Sequence, residues 1–497
     1  MGIEIKNVMK KRCYISVLLG VFLWGMPLFA QKKASRKVAS PYNYEVTIVL
    51  EGVPDTMLFV GYYYADKTYS KDSIFVEKRK PYTYVLHGKD TLHRGVYIVA
   101  GQRHNKYLEF IVDSSMFFTI RATGLTPPYY DVLDHLSFEN SPENDVFLHF
   151  QKTMVRYQVK AAELSKAIKQ ESAKEAPNQT LLDTLKAERS RNYDSMHLFT
   201  DWQIETYPNQ LFSKLQKMGL EVEVPPLPEG RDSVWLLWYY ISHYWDNTDL
   251  TDDGMIFSPM FHPFLKHYYE QVAPTAVDSL IKYTDLLIEK TTSKELFKYI
   301  VWYVTHKYER SKYVGQDAVF VHMVKKYYEQ GLCPWVDSTT LEAMVERADK
   351  LDPILVGRQA PHLMMMDLSK RLRSSYEFDK KYTIMWFWDV DCSHCKSATP
   401  KLVEFYNRLK DSLDLEVFAV CMSADTVAWR KYVNDHNLPW VNVGGNVANI
   451  DFVQVYDVHS TPQIYVLDKQ KKIIVKKISV DELENFMRRY DKGEIRY

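Results

Sequence analysis

The sequence predicts a multidomain chain with an N-terminal all-β, sandwich-like domain, an α-helical middle domain and a C-terminal α/β domain. Two observations predict this division. The chain has 497 residues, enough for about three domains of roughly 100–200 residues each. Along it, the spacing of apolar residues changes from two, typical of strands, to three and four, typical of helices, and then to alternating strand and helix segments.

The composition excludes two classes of protein. Lys and Arg together number 63, as do Asp and Glu, whereas a nucleic-acid-binding protein usually has a basic excess or a basic stripe. We therefore expect no nucleic acid partner. The mean hydropathy of −0.32 excludes a protein with many membrane spans.

Residues 1–30 have the three parts of a secretory signal peptide. Basic residues such as Lys10 and Lys11 precede an apolar stretch at 14–29, and the small Ala30 leads into polar residues. We expect cleavage after Ala30 and export to the periplasm. The alternative is an uncleaved membrane anchor, which the length of the stretch barely allows and Pro27 disfavours.

Residues 43–140 form the predicted β-rich domain. Apolar residues alternate with other residues, as at Tyr44, Val46 and Ile48, and turn residues such as 52–55 separate the runs. Several short strands at this spacing predict an antiparallel sandwich or an open barrel.

Residues 141–350 form the predicted α-helical domain. A seam of apolar residues at steps of three and four predicts a helix. It ends at 176–178, and a second helical stretch follows, so we expect a helical hairpin that packs on the neighbouring bundle. A short coiled coil that binds a partner is the alternative. The seam consists of Phe147, Phe150, Met154, Tyr157, Ala161, Leu164 and Ile168.

Later segments of the helical domain carry start signals and aromatic residues. Thr292 with Glu295 and Thr339 with Glu342 have the spacing of capping boxes. An aromatic cluster precedes them, and we expect it to pack in the core, with a ligand groove as the alternative. The cluster consists of Trp235, Trp238, Tyr239, Tyr240, Tyr244 and Trp245.

Residues 355–497 alternate between strand and helix patterns. The first strand, helix and second strand predict a parallel pair joined by a right-handed crossover, and the last two strands predict a hairpin. We expect this domain to fold alone, because its strands and helices form one layered core. The predicted elements are strands at 382–388, 415–422, 463–467 and 472–478, and helices at 393–410, from 425 and from 480.

The segment Cys392-Ser393-His394-Cys395 stands where the first of these strands turns into a helix. Cys392 there faces unpaired backbone N–H groups and the positive end of the helix dipole, both of which favour the thiolate. Cys395, one turn later on the same face, can form a disulfide with it. We predict that Cys392 attacks a substrate disulfide and that Cys395 resolves the mixed disulfide. His394 is predicted to favour the thiolate further, with an exposed spacer as the alternative.

These residues resemble the thioredoxin-like superfamily, specifically the secreted TlpA-like or redoxin thiol–disulfide oxidoreductases of Bacteroidetes. The resemblance covers about residues 355–497 and is carried by 387–396, Pro400 and 460–468. It implies a thioredoxin-like fold for the C-terminal domain. More weakly, the helical block resembles a domain of unknown function that often precedes a redoxin, and the β-rich block resembles the N-terminal domain of related proteins.

The resemblance also implies a substrate site and partners. It places a cis-proline at Pro462 and leaves the backbone of Thr461 free to pair with a substrate strand. The implied partners are disulfide- or thiol-bearing proteins of the envelope and a membrane thiol electron donor or acceptor.

Three positions depart from the family's pattern. Asp391 stands where thioredoxins usually have Trp, and Trp386 occupies the position of their buried acid. Ala398 replaces the glutamate that some TlpA-like reductases carry three residues beyond the second cysteine. The proton acceptor for Cys395 is therefore not identified by the sequence.

No cofactor and no metal are expected. Haem attachment requires His straight after the second cysteine, where Lys396 stands, and Cys333 and Cys421 are too isolated to complete a zinc site. The predicted function is an exported thiol–disulfide oxidoreductase that acts on proteins. The alternative is an envelope glycan- or protein-binding module in which the redoxin domain is auxiliary.

Overall fold

The computed structural model describes residues 40–127, 132–311 and 313–495. The predicted signal peptide and its alternative, a membrane anchor, lie outside these residues. No helix in the described ranges is long and apolar enough to cross a membrane.

Eight strands of the described chain form the N-terminal sheet, in the order β6-β5-β2-β3-β4-β1-β7-β8. β3 pairs with β2 along most of its length and with β4 at its end, and side chains from both halves of the sheet share one core. The all-β, sandwich-like prediction is confirmed, but β1 and β7 run parallel, so the sheet is not wholly antiparallel. The elements are β1 (Tyr44–Leu50), β2 (Met57–Tyr64), β3 (Lys67–Glu77), β4 (Lys80–Gly88), β5 (Gly95–Ala100), β6 (Lys106–Val112), β7 (Phe117–Ala122), α1 (Val132–His135) and β8 (Leu136–Glu139).

The middle of the chain is helical, as predicted. The first two long helices form the expected hairpin, and Asn178 caps the second by accepting a hydrogen bond from the Leu181 N–H at 3.1 Å. The α-helices are α2 (Pro142–Ser172), α3 (Gln179–Thr206), α4 (Leu211–Met218), α5 (Ser233–His243), α6 (Phe261–His267), α7 (Val277–Lys290), α8 (Lys294–Glu309), α9 (Asp317–Met323) and α10 (Ser338–Leu351). π-helical turns at Tyr268–Val272 and Val324–Tyr328 continue α6 and α9, and 3-10 turns lie at Asp253–Met255 and Asp352–Ile354.

Two predicted helix caps are wrong by one or two residues. Ser293, rather than Thr292, caps α8 and accepts from the Leu296 N–H. Asp337, rather than Thr339, caps α10, because its carboxylate accepts from the Thr340 N–H at 2.9 Å and suits the positive end of the helix.

The aromatic cluster is only partly in the core. Tyr244 and Trp245 are buried, but Trp238 is 38% exposed and stacks on Tyr283 of α7. Tyr240 is half-buried and packs against the same core, so the expectation of core packing is confirmed for Tyr240, Tyr244 and Trp245 and is wrong for Trp238.

The C-terminal sheet has the order β10-β9-β13-β12-β11-β14-β15. The predicted parallel pair is β11 with β12, and the predicted hairpin is β14 with β15. Strands β9, β10 and β13 and helix α13 were not predicted. The elements are β9 (Met364–Asp367), β10 (Leu372–Ser374), β11 (Tyr382–Trp388), α11 (Ser393–Leu409), β12 (Leu415–Cys421), α12 (Thr426–Asp435), β13 (Val441–Ala448), α13 (Phe452–Val455), β14 (Gln463–Leu467), β15 (Ile473–Lys476) and α14 (Val480–Asp491).

The two faces of this sheet have different covers. The near face, which carries Trp386, packs against α11, α12 and α14 in one apolar cluster. The far face, which carries Phe387, belongs to a second cluster that also contains α13 and residues of the helical region such as Leu351 and Ile354. The cysteine segment lies just beyond the C-terminal end of β11, at the start of α11.

Candidate active site

Cys392 is the N-cap residue of α11. The loop 389–391 follows β11, and the sulfur of Cys392 accepts a hydrogen bond from the backbone N–H of Cys395 at 3.2 Å. The side chain is half-buried. A thiol in this position replaces the usual Ser or Asp cap, so the sulfur itself lies against the free N–H groups of the helix.

The two thiols of this segment have opposite properties. Burial raises the pKa of Cys392, but hydrogen bonds from Cys395, from the Thr461 side chain and from the His394 backbone outweigh burial and leave this pKa below its ordinary value. Cys395 is fully buried in the near-face cluster, and burial, followed by its hydrogen bond to Cys392, raises its pKa to about 12. Both are free thiols in this structure. The arrangement can present one thiolate to the surface and keep the second thiol protonated beneath it.

A second segment completes the site. The Thr461–Pro462 peptide bond is cis, and the carbonyl oxygen of Thr461 accepts from the Cys392 thiol at 3.4 Å. Both residues are half-buried. The structure therefore brings Cys392, Cys395, Thr461 and Pro462 together where β11 ends and β14 begins, although Cys392 and Thr461 are 69 residues apart in the chain.

His394 lies at the same site but contributes differently from what its imidazole suggests. Its side chain is exposed, and within the described ranges it makes no hydrogen bond or ion pair. Its backbone N–H, by contrast, is one of the groups that lower the pKa of Cys392. The role predicted for the imidazole stays a prediction.

The region below Cys395 is apolar. Trp386, at the position of the family's buried acid, is fully buried and its indole N–H has no hydrogen-bond partner among the described residues. No side-chain carboxylate in the described part of the chain hydrogen-bonds to Cys395. Among the described residues the structure therefore identifies no proton acceptor for Cys395 other than the neighbouring Cys392.

The remaining cysteines are unsuited to exchange. Cys333 and Cys421 are buried, and burial raises the pKa of each thiol to about 12. In the described residues, no group of three or more His, Cys, Asp or Glu side chains is arranged to hold a metal ion.

Sequence reasoning missed the residues that hold the Thr461 segment in place. Asp457, at its start, is buried and binds Arg347 and Lys477. The signal for Asp457 was weak, since a polar residue just after a short helix is common. Arg347 gave no signal, because it lies 110 residues upstream in the helical region.

The comparisons with known proteins agree with this geometry. A family model described as thioredoxin-like matches residues 379–473. The matched residues belong to a thioredoxin-like domain in the C-terminal part of the chain. The match includes β11, both cysteines and the Thr461 segment, so this domain holds all the residues that meet at the site.

Relatives of the thioredoxin-like domain are thiol–disulfide oxidoreductases. Thiol–disulfide oxidoreductase ResA of Bacillus thuringiensis subsp. konkukian is 23% identical over 146 residues, which are 29% of this chain and 79% of that protein. ResA of Bacillus cereus is 22% identical over 142 residues, 28% of this chain and 77% of that protein. The domain is accordingly an oxidoreductase domain of the thiol–disulfide type.

Two solved structures are also similar. A domain of a possible thiol–disulfide isomerase from Cytophaga hutchinsonii is 36% identical, over 28% of this chain and 96% of that chain, with a TM-score of 0.27. A thioredoxin-like protein from Bacteroides caccae is 18% identical, over 54% of this chain and 97% of that chain, with a TM-score of 0.40.

Proposed function

We propose that the protein exchanges disulfides with protein substrates through the dithiol of Cys392 and Cys395. The observation that carries the proposal is the position of the two thiols within one helical turn: Cys392 is the half-buried N-cap of α11, whose sulfur accepts from the Cys395 N–H, and Cys395 is fully buried beneath it. The directions of their pKa shifts, down for Cys392 and up for Cys395, agree with these positions. Exchange through a mixed disulfide requires one thiolate that attacks the substrate and a second thiol that reacts only afterwards.

The reaction follows from the two positions. The Cys392 thiolate attacks one sulfur of a substrate disulfide, a new S–S bond forms, and the other substrate sulfur leaves as a thiolate that takes up a proton. Cys395 then loses its proton and attacks Cys392, which releases the second substrate thiol. The substrate disulfide is reduced by two electrons and the enzyme pair is oxidised to a disulfide. The same steps in reverse oxidise a dithiol substrate.

Thr461 is the residue proposed to bind the substrate backbone. Its segment is half-buried beside Cys392, and its N–H donates no backbone hydrogen bond in the described residues. An extended substrate segment can pair with this backbone and place its own sulfur against Cys392, as in strand addition at a sheet edge.

The proposed location is the periplasm. This rests on the signal-peptide pattern of residues 1–30 and predicts cleavage after Ala30. The proposed partners are disulfide- or thiol-bearing envelope proteins and a membrane thiol electron donor or acceptor. Sequencing the N-terminus of the exported chain tests the proposed cleavage after Ala30. A chain that keeps Met1 and sediments with membranes contradicts both the cleavage and the periplasmic location.

Trapping tests the exchange reaction. Cys395→Ser should accumulate mixed disulfides between Cys392 and substrates, because the resolving thiol is missing, whereas Cys392→Ser should accumulate none. Cys421→Ser is the matched control, since it removes a buried thiol from the same domain. Mixed disulfides on Cys395 in the Cys392→Ser variant, or no reducible Cys392–Cys395 disulfide in the oxidised wild type, would contradict the proposal.

A further inference from the structure

The loop that contacts Cys392 is held mainly at its two ends. It runs over residues 458–462, between α13 and β14. No backbone N–H of residues 459–461 donates a hydrogen bond to another backbone group in the described chain. Gln463 begins the ladder of β14 with β11 at one end, and Asp457 is fixed at the other. Val458, next to Asp457, is also fixed, because it is buried and its N–H donates to the Val453 carbonyl. The position of residues 459–461 therefore depends on how this end and Gln463 are held.

Asp457 is an unusually well-bound anchor. Its side chain is 3% exposed, and its φ of +52° is in the left-handed region that Asp and Asn tolerate. Its carboxylate accepts two hydrogen bonds from Arg347, at 2.6 and 3.1 Å, and one from Lys477 at 2.8 Å. The ring of His459 lies 3.4 Å away at ion-pair distance.

Arg347 reaches this carboxylate from outside the thioredoxin-like domain. It is in α10 of the helical region, while Lys477 follows β15 of the domain itself. A bidentate arginine fixes both the position and the plane of a carboxylate, which a single lysine does not. A second ion pair between the same regions joins Lys476 to Asp317 at 2.5 Å.

We propose that Arg347 is a positioning residue for thiol–disulfide exchange, because by holding Asp457 it fixes the 458–462 loop and keeps Thr461 against Cys392. This inference rests on the exchange reaction proposed above. Removing Arg347 leaves a buried carboxylate without two of its hydrogen bonds, and such a group moves toward its remaining partner or toward water. The loop then moves with it, and Thr461, whose carbonyl oxygen lies 3.4 Å from the Cys392 sulfur and which helps to lower the pKa of this thiol, moves away.

The test compares the full-length chain with Arg347→Met, Arg347→Lys and Arg408→Met. At a fixed pH below the pKa of Cys392, Arg347→Met should slow alkylation of Cys392 about threefold, the change in thiolate fraction that half a pKa unit gives. Arg347→Lys should restore part of the rate, since it keeps the charge. Arg408→Met is the matched control, because Arg408 also makes a bidentate pair, with Glu484 at 2.9 and 2.5 Å. Neither residue hydrogen-bonds to the 458–462 loop in the described part of the chain. Arg408→Met should leave the rate unchanged.

Asp457→Asn sharpens the test and guards against misfolding. It keeps the shape and the left-handed backbone, so it should slow alkylation as Arg347→Met does, and adding Arg347→Met to it should have little further effect. Lys477→Met replaces Arg347→Met if the latter does not fold. Unchanged alkylation in Arg347→Met, or additive effects of the two substitutions, would overturn the proposal. The alkylation readout needs no turnover, so it separates this inference from the exchange reaction, which fails if wild type exchanges no disulfides.

Discussion

The two faces of the C-terminal sheet are supported by different parts of the chain. On the near face, α11, α12 and α14 of the thioredoxin-like domain bury Trp386 and Cys395. On the far face, the cluster around Phe387 continues into the helical region. The thiols thus belong to the face that the domain covers itself, whereas Arg347 holds the loop beside them from the helical region. The thioredoxin-like domain thus contains both reacting thiols, but some of the residues that hold the site in place belong to the helical region.

The largest expected effect concerns two neighbouring residues on opposite faces. Trp386→Ala and Phe387→Ala each remove a fully buried aromatic side chain, so each should lower the free energy of unfolding of the full chain by about 3–5 kcal/mol. In a fragment of residues 357–497, Trp386→Ala should still lower the free energy of unfolding by most of this amount, because the helices that pack on Trp386 are present. Phe387→Ala should lose part of this amount, because the apolar cluster of Phe387 continues into the helical region, although the rings it contacts, those of Phe452, Tyr456 and Tyr465, lie in the fragment.

Denaturant unfolding of the four chains measures this difference. That the fragment of residues 357–497 folds alone stays a prediction. Since the far-face cluster also contains residues of the helical region, we expect the fragment to be less stable than the full chain. Equal costs for both substitutions in the fragment would show that the far face is also covered by the domain alone.

A smaller effect concerns Asp457 and acid. Burial raises the pKa of this carboxyl, but hydrogen bonds from Arg347 and Lys477 outweigh burial and lower it from 3.8 to about 2. A lowered pKa stabilises the folded chain above about pH 4, and this stabilisation is lost as pH falls through about 2. The stability gap between wild type and Asp457→Asn should therefore shrink by about 2 kcal/mol over that range. A gap that does not change between pH 5 and pH 2 would contradict the account of this anchor.

The smallest effect is expected at His394. Removing the imidazole in His394→Ala should raise the pKa of Cys392 and make the couple more reducing, because a stabilised thiolate stabilises the reduced enzyme. The shift should stay below about 1 pKa unit, since the side chain is exposed and the helping backbone N–H remains. Titration of thiolate absorbance measures it. An unchanged pKa would leave the imidazole as a spacer.

The sequence predicted the elements that have a strong local pattern. Strands β11 and β14 and the start of α11 agree with the expectation to the residue, because apolar runs and a cysteine cap mark them. Strand β13 was missed, since Gly444 and Gly445 within it weaken a strand pattern. Its pairing with β12 and β9 decides its conformation, and such long-range contacts leave no local trace.

The residues of the site also divide into those that the sequence indicated and those that it did not. Cys392, Cys395 and the cis peptide at Pro462 could be located from spacing and resemblance. The anchor of the Thr461 loop could not, because it depends on Arg347 and Lys477 meeting one carboxylate from separate elements. The exposure of Trp238 was also invisible, since a helical aromatic pattern does not show whether a neighbouring helix is present.

The most direct test of the central claim is the pH dependence of alkylation at each cysteine of the reduced full-length chain, followed by mass spectrometry of the peptides. Cys392 should react with a midpoint below the ordinary thiol value of 9.0, while Cys395 should stay unmodified in the folded chain up to much higher pH. Equal midpoints for the two cysteines, or earlier modification of Cys395, would contradict the assignment of Cys392 as the attacking thiol.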